Sequence, residues 1–472
     1  MRVSINPSTG NRILQDFLGA YQRLLWGPLL GLLAWIIGAN AAMQNDALVT
    51  LVVTAFCLGW WFAEAAPMAV TALIPLAVFP LFGVLSKQEV AEAYGSSIIL
   101  LMLGGFMLSR AMAYRGTHYH LALMALHWVG AGSERRLVIG FMLASAALSM
   151  WISNTATTLM LLPVALAILD KLDSKPIVVP LLLGIAYAAS IGGIGTPIGT
   201  PPNLVFMQVY TELSGEEVSF LGWMRWGLPV VLVLLPIAMW WLTRKLTGSI
   251  TASLPDKEPW DAAQRRVMWV FAVTALLWIT RSEPFGGWSG LLNLPGANDA
   301  TIALLAAASL FVIGDGRGGR LLDWEATREL PWGILILFGG GICIAKAFAA
   351  SGLSEQFAAL VTGLDHLPVI VLLLSLCLTV TFLTEATSNM ATATLLMPIL
   401  GAAALGLGLP IEKLMVPAAI SASCAFMLPI ATAPNAIVYG SGRIHMPEMA
   451  RIGVGLSLMG AIVVALVTYL VI

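Results

Sequence analysis

Apolar runs about the length of a membrane span follow one another along almost the whole chain, at 25–42, 47–63, 66–84, 97–113, 177–210, 222–243, 266–281, 299–314, 332–350, 414–441 and 452–472. An α-helix needs about 20 predominantly apolar residues to cross a bilayer. The pattern therefore predicts a polytopic helical membrane protein. Two further apolar stretches, 136–171 and 367–406, are interrupted at the centre by a short polar motif with about 17 residues on either side. That length suits a pair of helices that enter the membrane and turn back, or two complete spans.

The two interruptions are related. Ser153-Asn154-Thr155 recurs 235 residues later as Ser388-Asn389-Met390. In the same register Ser149 aligns with Thr384, Pro163 with Pro398, and Gly104-Gly105 with Gly339-Gly340. Downstream, Thr200-Pro201-Pro202-Asn203 returns as Thr432-Ala433-Pro434-Asn435 at a spacing of 232. Interrupted apolar segments in corresponding positions of two halves are the sequence pointer to a transporter's binding site.

Charge orients the layout. With a cytoplasmic N-terminus and both motif stretches re-entrant, the cytoplasmic side collects Arg110, Arg115, Arg135, Arg136, Lys171, Lys175, Arg244, Lys245, Lys257, Arg265, Arg266, Arg317, Arg320, Arg328, Arg443 and Arg451. The other side keeps mainly Lys87, Arg225, Arg281 and Lys413, beside Glu212, Glu216 and Glu217. This is the positive-inside bias. It favours an all-α polytopic fold with about eleven transmembrane helices plus two re-entrant hairpins, and a C-terminus outside. The expected division is an N-terminal segment and first span at 1–46, a first repeat at 47–243 with its hairpin at 136–171, a cytoplasmic linker at 244–265, and a second repeat at 266–472 with its hairpin at 367–406. Each repeat crosses an odd number of times, so the two have inverted topology.

Composition agrees with the pattern. The chain is 59% apolar and 10% charged, against roughly 25% charged in soluble domains. A net charge of −1 and the lack of a basic block leave no case for a nucleic-acid partner. Cys57, Cys343, Cys377 and Cys424 are scattered and form no Cys-x-x-Cys, so neither a disulfide framework nor a metal site is supported. The polar start with Arg2, Arg12 and Arg23 leads into an apolar run without a small-residue cleavage site, which reads as a retained first span. An integral-membrane enzyme finds no support: the chain has no His-Glu-x-x-His, no paired-Asp metal motif and no nucleophile elbow. His118, His120 and His127 are placed near a cytoplasmic loop, Lys346 late in a span from which it snorkels, and Trp60, Trp61, Trp240 and Trp241 at interfacial span ends.

The motifs carry a definite chemistry. Backbone at membrane depth must be bonded internally or line a cavity. A hairpin tip frees N–H and C=O groups, and Ser, Asn and Thr side chains compete for them and favour a turn. The same side chains offer oxygens to cations and N–H or O–H groups to anions. A bland alternative is that they only bond helix to helix; the matched second copy favours a site. Seven of the twelve residues from Gly192 to Asn203 are Gly or Pro, which cost about 1 and about 3 kcal/mol in a helix interior. The span 177–210 should therefore unwind at its middle and resume after Pro202, offering carbonyls to a cation and a positive helix end to an anion. No Asp, Glu, Lys or Arg occurs from 137 to 169 or from 176 to 211, and Glu385 alone is charged from 366 to 411. An anion here meets neutral donors, helix ends and bound cations. Glu385 is either a proton-coupling carboxylate or a hydrogen-bonded structural residue; its repeat partner is Met150.

Leu148-Ser-Met-Trp-Ile-Ser-Asn-Thr155, the stretch Gly192–Asn203, and Phe426-Met-Leu-Pro-Ile-Ala-Thr-Ala-Pro-Asn435 resemble the motifs of the divalent anion/sodium symporter family, which carries dicarboxylates, citrate and sulfate. The resemblance covers nearly the whole chain beyond the first 20 or so residues. Trp60-Trp61-Phe62-Ala63-Glu64-Ala65-Ala66-Pro67 is similar to the family's Thr-Glu-Ala-x-Pro element, with Ala63 in place of Thr. The resemblance implies Na+ as the transported coupling ion. Its first site would use Ser149, Ser153, Asn154 and a carbonyl between Gly195 and Gly199, and its second Thr384, Thr387, Asn389 and the Ala431 carbonyl. Substrate carboxylates would meet Asn154, Thr155, Thr200, Pro201, Ser388, Asn389 and Thr432. It further implies a homodimer in the lipid bilayer, elevator-type alternating access and, in a bacterium, the inner membrane. Met390 stands where dicarboxylate carriers of the family often have Thr. The expected activity is Na+-coupled symport of a small divalent anion, foremost a C4 dicarboxylate such as succinate, malate or fumarate. The alternatives are Na+-independent dicarboxylate exchange, or sulfate or tricarboxylate symport on the same fold.

Overall fold

The computed structural model describes residues 7–130, 132–172, 174–250, 259–356 and 367–472. The chain is 75% helical and forms no strand among the described residues. Nine of the described helices are long and apolar enough to cross a membrane by length and composition. Helices suit that solvent because each satisfies its own backbone groups. The protein is an all-α, multi-pass membrane protein.

The chain separates into two compact units, each drawing residues from both halves of the sequence. One comprises 1–96 and 332–360. Its long helices are Pro7–Asn40, Asn45–Ala63 and Trp332–Ala350. The run expected at 66–84 is interrupted at Ala72, between helices Met68–Thr71 and Leu73–Phe82. Tyr94 fills the interruption, its hydroxyl donating to the Ala72 carbonyl at 3.2 Å. Trp61 is buried and its indole N–H donates to Met68 O at 3.3 Å, so it packs the interior of the unit instead of lying at an interface. Lys346 lies 3.8 Å from Glu92, an ion pair within this unit.

The other unit comprises 97–331 and 361–472 and holds every residue of the predicted site. The interrupted stretch 136–171 forms helices Glu134–Ser149 and Asn154–Leu169, and 367–406 forms Val369–Ala386 and Asn389–Gly406. The run 177–210 breaks into Val178–Gly193 and Pro201–Ser214, and the run 414–441 into Ile411–Ser421 and Ala433–Gly440. Close backbone approach lets these elements pack. A Cβ on Gly192 would lie 2.3 Å from the Ala146 carbonyl oxygen, and one on Gly227 2.3 Å from Ile194 O. Both positions exclude any larger residue.

The histidines assigned to a loop lie on a short helix, Thr117–Val129. His120 is buried with its ring tilted against Trp260 at a centroid distance of 5.3 Å, while His118 and His127 bond backbone carbonyls at 3.0 and 2.8 Å. At 13 residues the helix is too short to announce itself as a span, and its polar histidines concealed it.

Candidate functional site

Each Ser-Asn motif builds the same turn. The helix Glu134–Ser149 ends just before the motif, and Ser153, in extended conformation, accepts the Ala156 N–H at 3.3 Å to start the helix Asn154–Leu169. In the second copy Ser388 accepts the Ala391 N–H at 3.1 Å to start Asn389–Gly406. A serine oxygen at this position satisfies one of the orphan donors of the first turn. Across each turn a hydroxyl meets the asparagine amide. Ser149 Oγ bonds the side chain of Asn154, and Thr384 Oγ1 donates to Asn389 Oδ1 at 2.9 Å. Both the caps and the cross-turn contacts repeat in the 235-residue register.

The broken helices repeat too, in the 232-residue register. Asn203 Nδ2 donates to the carbonyls of Gly193 at 3.0 Å and Thr196 at 2.8 Å. Asn435 Nδ2 donates to Ala425 at 3.2 Å and Leu428 at 3.1 Å. Each asparagine thus stitches carbonyls released by unwinding, and each is fully buried. Thr200 and Thr432 occupy the same extended cap conformation, followed by Pro201-Pro202 and Ala433-Pro434 in the first turn. Proline lacks the N–H that a helix start leaves unpaired, so the resumed helices begin there without loss.

Motif and broken helix meet within each copy. The hydrogen-bonding pattern directs the Asn154 amide nitrogen at Ala189 O, 3.2 Å away, and Gly199 O, 3.3 Å away; the orientation of an amide is assigned from such partners. Thr196 Oγ1 bonds the Met150 carbonyl, and the side chain of Met150 lies against Gly195. In the second copy Thr384 Oγ1 also lies 2.9 Å from Ala422 O, so its one hydroxyl proton is shared between that carbonyl and Asn389 Oδ1. The copies also interleave: Asn154–Leu169 packs against Ala433–Gly440, and Asn389–Gly406 against Pro201–Ser214. Four helix N-termini, at Asn154, Pro201, Asn389 and Ala433, belong to this assembly.

Of the residues read from the sequence, Ser149, Asn154 and Gly199 come together in the first copy, and Thr384 with Asn389 in the second. Ser153 and Ser388 are engaged as caps, and Thr432 caps its own helix by accepting the Asn435 N–H at 3.2 Å. Thr387 Oγ1 is bonded locally, to Leu383 O at 3.0 Å and to Thr392 Oγ1 at 2.6 Å. Thr155 and Thr200 sit at the first helix starts, and Ala431 is buried before the last. Three contributors were missed: Asn203, Asn435 and Tyr187. The two asparagines stood in the repeated motif, and their spacing was the signal; nothing in the sequence marked Tyr187.

This fold, with its paired polar centre free of cationic side chains, is that of a membrane transporter and not of an enzyme. The family model described as a citrate transporter matches residues 58–412. The chain is 37% identical to the sodium-dependent dicarboxylate transporter SdcS of Staphylococcus saprophyticus, over 96% of this chain and 91% of that one. The Staphylococcus aureus transporter of the same name is also 37% identical, over 95% and 90%. The chain belongs to the divalent anion/sodium symporter family. Its fold is shared with two solved structures of low identity. The Alcanivorax borkumensis YdaH transporter matches at a TM-score of 0.62 and 17% identity, covering 90% of this chain and 98% of that one. Neisseria gonorrhoeae MtrF matches at 0.56 and 14%, covering 81% and 82%.

Proposed function

We propose that this protein couples the movement of Na+ to symport of a divalent anion, and that the anion is a C4 dicarboxylate such as succinate, malate or fumarate. The observation that carries the reading is the duplicated hydroxyl–asparagine turn, each copy set against its own unwound helix and free of cationic side chains. Neutral oxygens suit Na+: Ser149, Ser153, Asn154 and the Gly195–Gly199 carbonyls at one site, Thr384, Thr387, Asn389 and the Ala431 carbonyl at the other. The dianion lies between them against Asn154, Thr155, Thr200, Pro201, Ser388, Asn389 and Thr432. Two helix N-terminal ends per copy favour its negative charge. Without an arginine clamp, the anion's charge is met by the bound cations, so each ion lowers the cost of desolvating the other. The names of the staphylococcal relatives support both the sodium and the dicarboxylate.

The same reading includes inverted repeats at 47–243 and 266–472 joined by the 244–265 linker, re-entrant hairpins, a cytoplasmic N-terminus, a homodimer, and an elevator-type movement of the site across the membrane. The repeated hydrogen bonds and the positive-inside asymmetry support the first three.

The test is uptake of labelled succinate into empty proteoliposomes under an inward Na+ gradient. Accumulation that collapses when Na+ is replaced by K+ is expected. Uptake that needs internal anion and ignores Na+ establishes exchange instead. Competition by sulfate and citrate decides the substrate class.

A further inference from the structure

Glu385 is the only charged residue of the second site region, and its environment states its role. The side chain is 2% exposed. Its Oε1 accepts the backbone N–H groups of Phe426 at 2.6 Å and Met427 at 2.8 Å, and its Oε2 that of Leu428 at 3.0 Å. Ser457 Oγ adds a fourth bond at 3.3 Å. Those three peptides lie at the middle of the unwound segment of the second broken helix, and the Leu428 carbonyl in turn receives Asn435 Nδ2 at 3.1 Å. In the first copy the residue aligned with Leu428 is Thr196, and its hydroxyl bonds the carbonyl of Met150, the residue aligned with Glu385. The same two loop positions are tied in both halves, once by hydroxyl and carbonyl, once by amide and carboxylate.

The Phe426 peptide is held from its other end as well. Tyr187, fully buried, donates its hydroxyl to Phe426 O at 2.7 Å, and the two rings pack edge to face at 5.1 Å. Tyr187 lies two residues before Ala189, whose carbonyl faces the Asn154 amide. A continuous line of bonded groups therefore runs from Asn154 through Tyr187 and the Phe426 peptide to Glu385, which adjoins Thr384 and its partner Asn389.

We infer that Glu385 is a positioning residue that holds the second cation loop in its binding shape, and that with Tyr187 it links the two cation sites. The inference rests on the proposed Na+ coupling. Glu385 is not a proton carrier here: its acceptor sites are directed at backbone amides, and these bonds hold the loop irrespective of transported charge.

The experiment uses the purified full-length protein and the variants Glu385→Gln and Tyr187→Phe. Na+ is titrated at saturating succinate with thermal stability as the readout, and the pH profile of Na+-driven uptake is recorded beside it. Glutamine replaces one acceptor oxygen with an NH2 that opposes an amide N–H. The Na+ concentration for half-maximal stabilisation should rise about tenfold or more, as expected for loss of a charge-assisted bond, with the shape of the pH profile kept. Tyr187→Phe keeps the ring and removes one bond; the Hill coefficient for Na+ should fall. A Glu385→Gln half-saturation within about twofold of wild type, or a pH profile flattened by that substitution, overturns the positioning role. An unchanged Hill coefficient in Tyr187→Phe overturns the link, and this variant decides alone if Glu385→Gln does not yield folded protein. Wild-type protein insensitive to Na+ refutes the proposed function itself, a result distinguishable before any variant is compared.

Discussion

Asn203→Asp isolates one donor group without altering shape. The wild-type amide donates from Nδ2 to Gly193 O at 3.0 Å and Thr196 O at 2.8 Å, with a longer contact to Ile194 O at 3.5 Å, at a fully buried position. Aspartate turns that nitrogen into an oxygen facing two carbonyls. If ionised it meets both with repulsion; if protonated it donates to one and leaves the other unpaired. The gentler outcome still loses one bond and strands one buried carbonyl, which costs about 1–3 kcal/mol. Hydrogen bonds between helices in membranes average nearer about 0.6 kcal/mol, but here the partners are carbonyls released by unwinding, with no helical bond to return to. A cost near about 1.4 kcal/mol corresponds to tenfold in an equilibrium. The loop shape that binds Na+ under the proposed function should become correspondingly scarce, and half-saturation for Na+ in proteoliposome uptake should rise about fivefold or more. Asn203→Ala should do the same through loss of both bonds. If Asn203→Asp retains wild-type Na+ dependence and melting temperature, the stitching role of this amide is wrong.

Asn154→Ala and Asn389→Ala should each abolish Na+-driven uptake while eluting as folded protein in size-exclusion chromatography; normal transport by either removes the twin motif from the site. Gly192→Ala places a methyl 2.3 Å from Ala146 O and 2.6 Å from its Cα, backbone atoms that no rotamer change relieves. The helices must separate, so at least the about 1–3 kcal/mol typical of overpacking should appear as a lowered melting temperature. In the loop after Asp299–Val312, the N–H groups of Arg317 and Gly319 donate to Asp315 Oδ1 at 2.7 and 2.9 Å, and Arg115 Nη1 lies 3.3 Å from Asp315 Oδ2. These hold the Asp315 carboxyl below its ordinary range, the Arg317 amide contributing most. A depressed folded value means the loop's stabilisation is complete above the unfolded pKa of about 3.9 and is lost as pH falls through the folded one. Amide exchange at Arg317 and Gly319 should accelerate across that acid window, and Asp315→Asn should remove the pH dependence.

How far the sequence disclosed this architecture follows from the kind of signal each element carries. The motif turns were legible because two copies shared a register, and the structure repeats the hydroxyl–asparagine pairing, from Ser149–Asn154 to Thr384–Asn389. The broken helices were legible from Gly and Pro density, which helix energetics penalises directly. Roles set by tertiary contact were not. The Glu385 carboxylate reaches residues 41 to 43 positions away, and Tyr187 reaches Phe426 across 239. No local pattern encodes such a meeting. The division into two compact units was equally hidden, since each takes residues from both halves of the chain. The break at Ala72 has no Gly or Pro at the residue itself, and the Tyr94 hydroxyl that meets its carbonyl comes from 22 positions downstream.

The two halves of the site differ at the positions where their chemistry must differ. Both keep the hydroxyl–asparagine turn and the stitching asparagine, so both retain neutral oxygens for a cation. Thr155, however, aligns with Met390, which is buried. A hydroxyl donor is thus present at the first helix start only, and a dianion held between the halves meets unequal ends. Under the proposed function, one Na+ at each of the two proposed sites offsets the charge of the dianion, and the one charged side chain beside the cradle, the Glu385 carboxylate, is bonded to three backbone amides. Any partly loaded state carries an unmatched charge into a medium where a single charged group costs about 2.5–3.5 kcal/mol or more. Coupling then needs no separate gate that counts ions. Under the proposed function the walls supply donors, acceptors and no cationic side chain that replaces a missing Na+, so the fully loaded site should cross faster than any partly loaded one.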